Sequence, residues 1–201
     1  IAYQEFKKHF GEDGNVMAVG IQSKDIFKKD FFNDWVKLTQ DIKKTEGIKD
    51  VLSLGNAYDL TFDDSLEKFT VVPLIDNLPL SEDKVKNIEK KINNLPFYEG
   101  VIYSQEKQAT ILAITFNDKE LNSSRRIDIV DGIKALCDSF SVKNKTEMHY
   151  SGMPYIRSAV MKKVSGEMKL FSLLAILVTA IVLWIFFRSF STVIFSLLVV
   201  I

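Results

Sequence analysis

The sequence predicts an α+β domain followed by transmembrane α-helices. Strand-type and helix-type patterns alternate over roughly the first 150 residues, which is typical of a sheet packed against helices. Charged residues then become rare. The last acidic residue is Glu167, and Arg188 is the one charged residue after Lys169. The two parts of the chain are therefore suited to different solvents.

Composition limits the class of protein further. Hydrophobic residues make up 47% of the chain, enough to bury a core, which excludes a disordered or collagen-like protein. Basic and acidic residues number 26 each, so no overall field would attract nucleic acid, and we expect no nucleic-acid partner. Cys137 is the single cysteine. It cannot form an internal disulfide, and no cysteine or histidine cluster suggests a zinc site.

The first predicted elements form a β-α-β unit. Residues 15–21 are an apolar run that predicts a buried strand. Asp30 is expected to cap the helix that follows, and Gly47 to end it. Its apolar stripe consists of Phe31, Trp35, Leu38 and Ile42. Residues 48–54 predict the second strand, after a crossover of suitable length.

The segment 55–80 is interpreted as irregular. Pro73 and Pro79 interrupt any long element there, and at most one short strand, around residues 69–72, fits the pattern. We therefore expect this segment to lie on the outside of the domain.

A helix and two strands are predicted next. Ser81 is expected to cap the helix. The apolar face of this helix consists of Val85, Ile88, Ile92 and Leu95. Strands follow at 101–103 and 110–116, and the second is apolar on both faces, which suits a central strand.

The third helix is expected to begin after Ser123 or Ser124. Its stripe consists of Ile129, Ile133, Leu136 and Phe140, with Val130 and Cys137 beside it, so Cys137 is interpreted as a core residue. A last strand at 146–150 exposes His149, which is assigned no catalytic or ligand role because it lacks a partner. The order of elements, two β-α-β units separated by an excursion, resembles a ferredoxin-like (split β-α-β) sheet with helices on one face.

Residues 170–187 predict a membrane-spanning helix. This uncharged run of roughly 18 residues spans about 27 Å, close to the thickness of a bilayer core. A buried helix of a soluble core is the alternative, but it would need a larger domain around it. Helix-type residues 155–169 lead into the run. The predicted hinge between domain and helix consists of Gly152, Met153 and Pro154.

A second apolar run occupies residues 193–201, after a turn at 188–192. Roughly nine residues reach about half a bilayer, so we expect a truncated second membrane helix and a chain that is a piece of a longer protein. Short basic loops lie preferentially on the cytoplasmic side of a membrane, so Arg188 favours a cytoplasmic position for the turn at 188–192. Lys162, Lys163 and Lys169, on the other flank of the predicted membrane helix, weaken this charge asymmetry. Residues 1 to about 169 are then expected to be extracytoplasmic. The cytoplasmic turn begins with Phe187, Arg188 and Ser189.

No motif for catalysis or cofactor binding occurs in the sequence. It contains no G-x-S-x-G, H-E-x-x-H, P-loop, G-x-G-x-x-G or paired-cysteine pattern. His9 and His149 are its two histidines, and carboxylate pairs such as Asp63 and Asp64 lie in charged stretches that we expect to be solvated. We therefore predict neither an enzyme nor a bound metal or cofactor.

Four segments in this order resemble the resistance-nodulation-division (RND) exporters, and more narrowly the branch called mycobacterial membrane protein large (MMPL). They are residues 10–13 before the first strand, the Leu95, Pro96, Gly100 and Ser104 segment, residues 151–154, and the Phe-Arg-Ser turn at 187–189. Their order covers essentially the whole chain.

The resemblance implies part of a multi-pass transporter of the cytoplasmic (inner) membrane. Residues 1–154 would be the first periplasmic porter domain and 155–169 a connecting helix. The second membrane helix would be 170–187, followed by a cytoplasmic turn at 188–192 and the start of the third helix at 193–201. The implied activity is proton-driven export of hydrophobic or amphiphilic compounds such as lipids or drugs. The implied partners are the lipid bilayer, the substrate, the remaining membrane helices and a second porter domain.

The family's titrating carboxylates lie on its fourth membrane helix, which this chain does not contain, so no proton-relay residue is assigned here. Aromatic residues facing a cleft are the predicted substrate contacts, with ordinary core or interface packing as the alternative. They are Phe31, Phe32, Phe97 and Tyr98.

Three other functions stay open. The chain fits an accessory membrane protein of protein export, a polytopic sensor with an extracytoplasmic ligand-binding domain, or an ATP-driven permease whose nucleotide-binding part lies elsewhere. The second apolar run argues against a sensor with a single membrane span.

Overall fold

A computed structural model describes residues 13–63, 68–75, 77–121, 123 and 125–188. Its strands are β1 (Val16–Gln22), β2 (Ile48–Leu52), β3 (Tyr58–Asp63), β4 (Lys68–Pro73), β5 (Tyr103–Ser104), β6 (Ala109–Phe116) and β7 (Met148–Ser151). Its α-helices are α1 (Lys29–Lys43), α2 (Glu82–Asn93), α3 (Asp118–Leu121), α4 (Arg125–Asn144) and α5 (Met153–Phe187). The predicted α+β class is confirmed.

The main sheet is antiparallel throughout, with the strand order β2-β6-β1-β7 and β5 paired to β6. Val19 of β1 lies opposite Leu112 of β6 and Tyr150 of β7. Burial alternates along β1 and β6, so one face of the sheet belongs to the core. β6 is a central strand, as its sequence predicted.

Helices α1 and α4 supply much of the rest of the core. All four residues of the predicted α1 stripe are buried, and so are Ile129, Ile133 and Phe140 of α4. Trp35, Phe32 and Phe116 are among the largest side chains that are fully buried. The 3.6-residue period therefore identified the helix faces correctly.

The predicted cap of α1 is wrong. The helix begins at Lys29, and Lys28 occupies the N-cap position without a side-chain hydrogen bond. The N–H of Lys28 donates to the carbonyl oxygen of Asp25 at 2.8 Å, so a tight turn sets the start of the helix. Asp30 lies inside the first turn, where its carboxylate interacts favourably with the helix dipole. Gly47, the expected stop, follows α1 in the loop with φ +92°.

The segment 55–80 holds two strands, where at most one was predicted. β3 and β4 form a separate two-stranded antiparallel sheet in which Asp59 lies opposite Val72. Val71 and Val72 are exposed. The sequence of β3 alternates apolar and polar residues, as a strand does, but the two prolines outweighed this signal in the prediction. Pro73 is the last residue of β4, a position where a strand tolerates proline, so it does not interrupt the hairpin.

Two other local predictions are confirmed, and one strand is shorter than predicted. The Ser81 Oγ accepts a hydrogen bond from the Lys84 N–H at 3.4 Å, which confirms the cap of α2. The strand expected at 101–103 is reduced to Tyr103–Ser104. His149 is exposed on β7, as predicted.

The chain divides into two compact units, Ile1–Ile156 and Arg157–Ile201. The first contains the sheets, α1 to α4 and the first turn of α5, and the second contains the rest of α5. The limits of the predicted porter domain stay predictions.

Candidate functional site

Helix α5 is the outstanding feature of the second unit. It is one continuous α-helix of 35 residues, so the predicted run 155–169 and the predicted membrane span belong to the same helix. Within the described part of the chain, α5 is long and apolar enough to cross a membrane. Its most apolar stretch of 18 residues has a mean hydropathy of 2.8, and none of that stretch is buried. Such a surface needs lipid or protein around it.

Charge divides α5 into two parts. Arg157, Lys162, Lys163, Glu167 and Lys169 lie in its first half, and all are exposed. From Leu170 to the end of the helix no side chain is charged. The change at Leu170 marks where the helix would leave water for hydrocarbon.

The end of α5 contains part of the predicted turn. Phe187 is the last helical residue, and the N–H of Arg188 donates to the carbonyl oxygen of Trp184 at 2.9 Å. Arg188 has φ +46°, a left-handed conformation that commonly follows the last helical turn. Ser189 and the predicted second apolar run lie outside the described residues.

Gly152 joins β7 to α5 in a confined space. It has φ +100°, and a Cβ at this position would overlap the carbonyl oxygen of Val16 and lie 2.9 Å from the Met17 Cα. The N–H of Ile156 donates to the Gly152 carbonyl oxygen at 3.0 Å and begins the helix. Glycine is therefore required here for both its backbone angle and its lack of a side chain.

The two other predicted hinge residues begin α5. Met153 is the first helical residue and is exposed, whereas Pro154 is buried. Proline suits the first turn of a helix, where no intrahelical bond needs its missing N–H. A hinge at Gly152, Met153 and Pro154 stays a prediction.

A lysine and two tyrosines meet where α5 leaves the domain, and we call this group the Lys134 cluster. The Nζ of Lys134 lies 5.3 Å from the ring centroid of Tyr150 and 5.7 Å from that of Tyr155. The two rings are stacked, with centroids 5.4 Å apart and an angle of 27° between their planes. Each cation–π contact is worth about 0.5–1 kcal/mol at such partly exposed positions. The cluster joins α4, β7 and the first turn of α5.

Tyr150 also connects the cluster to the core. Its hydroxyl group donates a hydrogen bond to Asp138 Oδ1 at 3.4 Å, and burial raises the pKa of the Tyr150 phenol. Burial likewise raises the pKa of the neighbouring Cys137 thiol to about 12. Cys137 is fully buried, so its predicted core position is confirmed, and the thiol stays protonated at neutral pH.

The four predicted substrate contacts lie in different surroundings. Phe31 and Phe32 are buried, and the Phe31 ring packs edge-on against Phe140 at 5.3 Å. Tyr98 is also buried, and its hydroxyl group accepts from the Tyr58 N–H at 2.7 Å and donates to the Tyr58 carbonyl oxygen at 2.9 Å. Phe97 is 47% exposed. Of the four, Phe97 is therefore the side chain that is open to a ligand, and a role in substrate contact stays a prediction for all of them.

Sequence reasoning missed the Lys134 cluster. Tyr150 and Tyr155 flank the Gly152-Met153-Pro154 link, and a pair of aromatic residues around a tight link is a usable signal. Nothing in the sequence pointed to Lys134, because its contact depends on how α4 packs beside β7.

The described residues offer little for acid–base or metal chemistry. Within them, no group of three or more His, Cys, Asp or Glu side chains could hold a metal ion. The described ion pairs, such as Lys43 with Asp50 at 3.1 Å, lie mostly at the surface, where a pair contributes at most about 1 kcal/mol.

Comparison with known proteins adds one match. The family model described as the MMPL family matches residues 30–201, which is more than half of the chain. A search of the curated proteins found no match.

Proposed function

This chain belongs to the MMPL family, and we propose that it forms an extracytoplasmic domain and a membrane helix of a proton-driven RND-type exporter. Proteins of this family are membrane transporters. The exported compounds would be hydrophobic or amphiphilic, such as lipids or drugs. The observation that carries the proposal is the continuous helix α5, which leaves the sheet domain directly after β7 and has the length and composition of a membrane span.

The sheet supports the assignment of the domain. The main sheet contains two β-α-β units, β1-α1-β2 and β6-α4-β7. Their four strands lie in the order β2-β6-β1-β7, and neighbouring strands are antiparallel. This arrangement suits a ferredoxin-like split β-α-β sheet. We assign it as the first porter domain, at residues 1–154, on the outer side of the cytoplasmic membrane.

The role of this chain in transport is mechanical. The described part of α5 carries no acid after Glu167, so the membrane span has no carboxylate to take up a proton. A helix of 35 residues without a break transmits a tilt along its length, since each turn is fixed to the next by backbone hydrogen bonds. Proton uptake elsewhere in the membrane bundle would then move the sheet domain through α5.

Export by the whole protein tests this function. A strain that lacks the gene is compared with the same strain carrying it, and accumulation of a fluorescent lipophilic dye is followed with and without a protonophore. We expect the gene to lower accumulation several-fold and the protonophore to abolish the difference. Equal accumulation in both strains, for lipophilic dyes and extracted membrane lipids alike, would contradict an exporter. A secretion defect without any change in dye or lipid would instead support the protein-export alternative.

A further inference from the structure

We infer that an open cavity beside the first turn of α1 binds the anionic headgroup of an amphiphile, an inference that rests on the proposed function. It narrows the exported compounds to amphiphiles that carry a negative charge. The cavity lies wholly within the first compact unit. Its walls come from the turn before α1, from α1 and α2, and from the end of α4.

The cavity has the size and an apolar wall that suit a small molecule. Its volume is about 620 Å³, within the range of roughly 300–1,000 Å³ that is usual for ligand sites. Half-buried Phe27 lines it. The Phe27 ring stacks on Phe32 at 5.7 Å and meets Tyr103 edge-on at 5.3 Å. These contacts hold the ring in place, so the apolar wall is preformed.

Lysines dominate the rest of the lining. Three separate segments of the chain supply five of them, which are Lys28, Lys29, Lys86, Lys143 and Lys145. Three carboxylates also line the cavity, and they are Asp25, Asp30 and Glu82. The sequence as a whole has no net charge, so a general excess of lysine does not explain this cluster.

Three of the five lysines are already paired with acids. The ion pairs are Lys28 with Asp25 at 2.9 Å, Lys86 with Glu82 at 2.8 Å, and Lys143 with Asp34 at 2.6 Å. The lysine side chains in these pairs are 61 to 71% exposed. Such exposed pairs contribute at most about 1 kcal/mol each, so an incoming anion can replace the carboxylates at little cost.

Lys29 and Lys145 make no ion pair with a described residue. The hydrogen bond from Lys86 lowers the pKa of the Glu82 carboxyl, and the charge of Lys29 lowers it further. When the paired groups are counted as neutral, these two lysines and Asp30 remain on the lining. The cavity therefore keeps a positive charge, which attracts an anion.

The lining favours a charged headgroup that is attached to an apolar chain. Each ammonium group offers three hydrogen-bond donors and no acceptor, so several lysines can surround the oxygens of a phosphate or a sulfate. A neutral lipid would leave Lys29 and Lys145 unpaired. A free inorganic anion shares the chemistry of the headgroup, but it would leave Phe27 in contact with water.

Substitutions at Lys29 and Lys145 test the site, because both side chains are exposed and their replacement leaves the core intact. The double variant Lys29→Gln/Lys145→Gln removes two charges, whereas Lys29→Arg/Lys145→Arg keeps both. Lys107→Gln/Lys119→Gln is the matched control. Lys107 and Lys119 are exposed, make no ion pair with a described residue and do not line the cavity.

The full-length protein in phosphatidylcholine nanodiscs is titrated calorimetrically with three probes, which are dihexanoyl phosphatidylglycerol, dihexanoyl phosphatidylcholine and inorganic phosphate. We expect the phosphatidylglycerol to bind more tightly than either of the others. Its affinity should fall at least roughly tenfold in Lys29→Gln/Lys145→Gln, as the loss of two charge-assisted contacts requires. It should stay near that of the unmodified protein in the double arginine variant and in the control.

Two results would overturn the inference. Equal affinity of phosphatidylglycerol for the unmodified protein and for Lys29→Gln/Lys145→Gln would show that this cavity is not the site. Binding of inorganic phosphate as tight as that of phosphatidylglycerol would show a site for free anions and contradict an amphiphile. The titration requires no transport, so an unmodified protein that exports nothing would contradict the proposed function while the binding result still decides what the cavity holds.

Discussion

The carbonyl oxygen of Val16 occupies the space where a side chain on Gly152 would begin. Val16 is the first residue of β1, and Gly152 follows the last residue of β7, so this contact lies where two paired strands meet the start of α5. Only a residue without a side chain fits this position between β7 and α5.

Gly152→Ala is expected to destabilise the domain more than the same substitution at another left-handed glycine. The positive φ alone costs about 1–2 kcal/mol for alanine, and the overlap with Val16 adds to this cost. Gly100→Ala is the matched control, because Gly100 has φ +77° but nothing within 4 Å of an added Cβ. Thermal unfolding followed by circular dichroism gives the two free-energy changes. Equal losses in the two variants would mean that the close approach to Val16 is absent.

Phe32→Ala and Phe97→Ala should separate packing from substrate contact. Phe32 is fully buried, so its truncation should cost about 3–5 kcal/mol of the free energy of unfolding. Phe97 is 47% exposed, and its truncation should cost less than about 1 kcal/mol. If Phe97 contacts substrate, Phe97→Ala lowers export at normal protein level in the membrane. Unchanged export of every substrate tested would remove Phe97 from the substrate contacts.

The stability of the domain should fall at alkaline pH through Cys137. Burial raises the pKa of this thiol from 9.0 to about 12, so between these values the unfolded chain has released a proton that the folded chain still holds. The contribution is therefore complete below pH 9 and is lost as pH rises toward 12, by up to ~1.4 kcal/mol per pH unit. Chemical unfolding of the native protein and of Cys137→Ala between pH 8 and 10.5 measures the difference. A constant difference between the two proteins would contradict a buried, protonated thiol.

Membrane topology is accessible to cysteine labelling, because buried Cys137 should not react in the folded protein. Glu106→Cys places a thiol on an exposed turn between β5 and β6, and Arg188→Cys places one after α5. An impermeant maleimide added to cells with an intact cytoplasmic membrane should label position 106, and position 188 only after lysis. Labelling of position 188 in intact cells would reverse the proposed orientation.

The parts of the fold that were predictable have a regular apolar face against the core. The stripe of α1 and the cap at Ser81 could be derived because spacing and local hydrogen bonding determine them. The start of α1 could not, since a backbone turn at Asp25 sets it without any capping side chain. The hairpin of β3 and β4 was not predicted, because Pro73 and Pro79 suggested an interruption, whereas Pro73 ends β4 and leaves its pairing with β3 intact.

The candidate site shows the same division. Gly152 and the length of α5 were visible in the sequence, because a glycine-proline link and an uncharged run have local causes. The Lys134 cluster was not visible, since the cation and its two rings come from α4, β7 and α5 and meet only after folding. Contacts between elements distant along the chain leave no periodicity in the sequence.

The central claim, that α5 transmits force between membrane and domain, is tested most directly at Gly166. This glycine lies in the helix interior before the membrane span and has nothing within 4 Å of an added Cβ. Gly166→Ala should stabilise the helix by up to about 1 kcal/mol, whereas Gly166→Pro breaks it at a cost of about 3 kcal/mol. The measurement is export driven by an imposed pH gradient in proteoliposomes that contain the full-length protein. We predict normal export for Gly166→Ala and loss of export for Gly166→Pro with its sheet domain still folded. Normal export by a folded Gly166→Pro protein would contradict the claim.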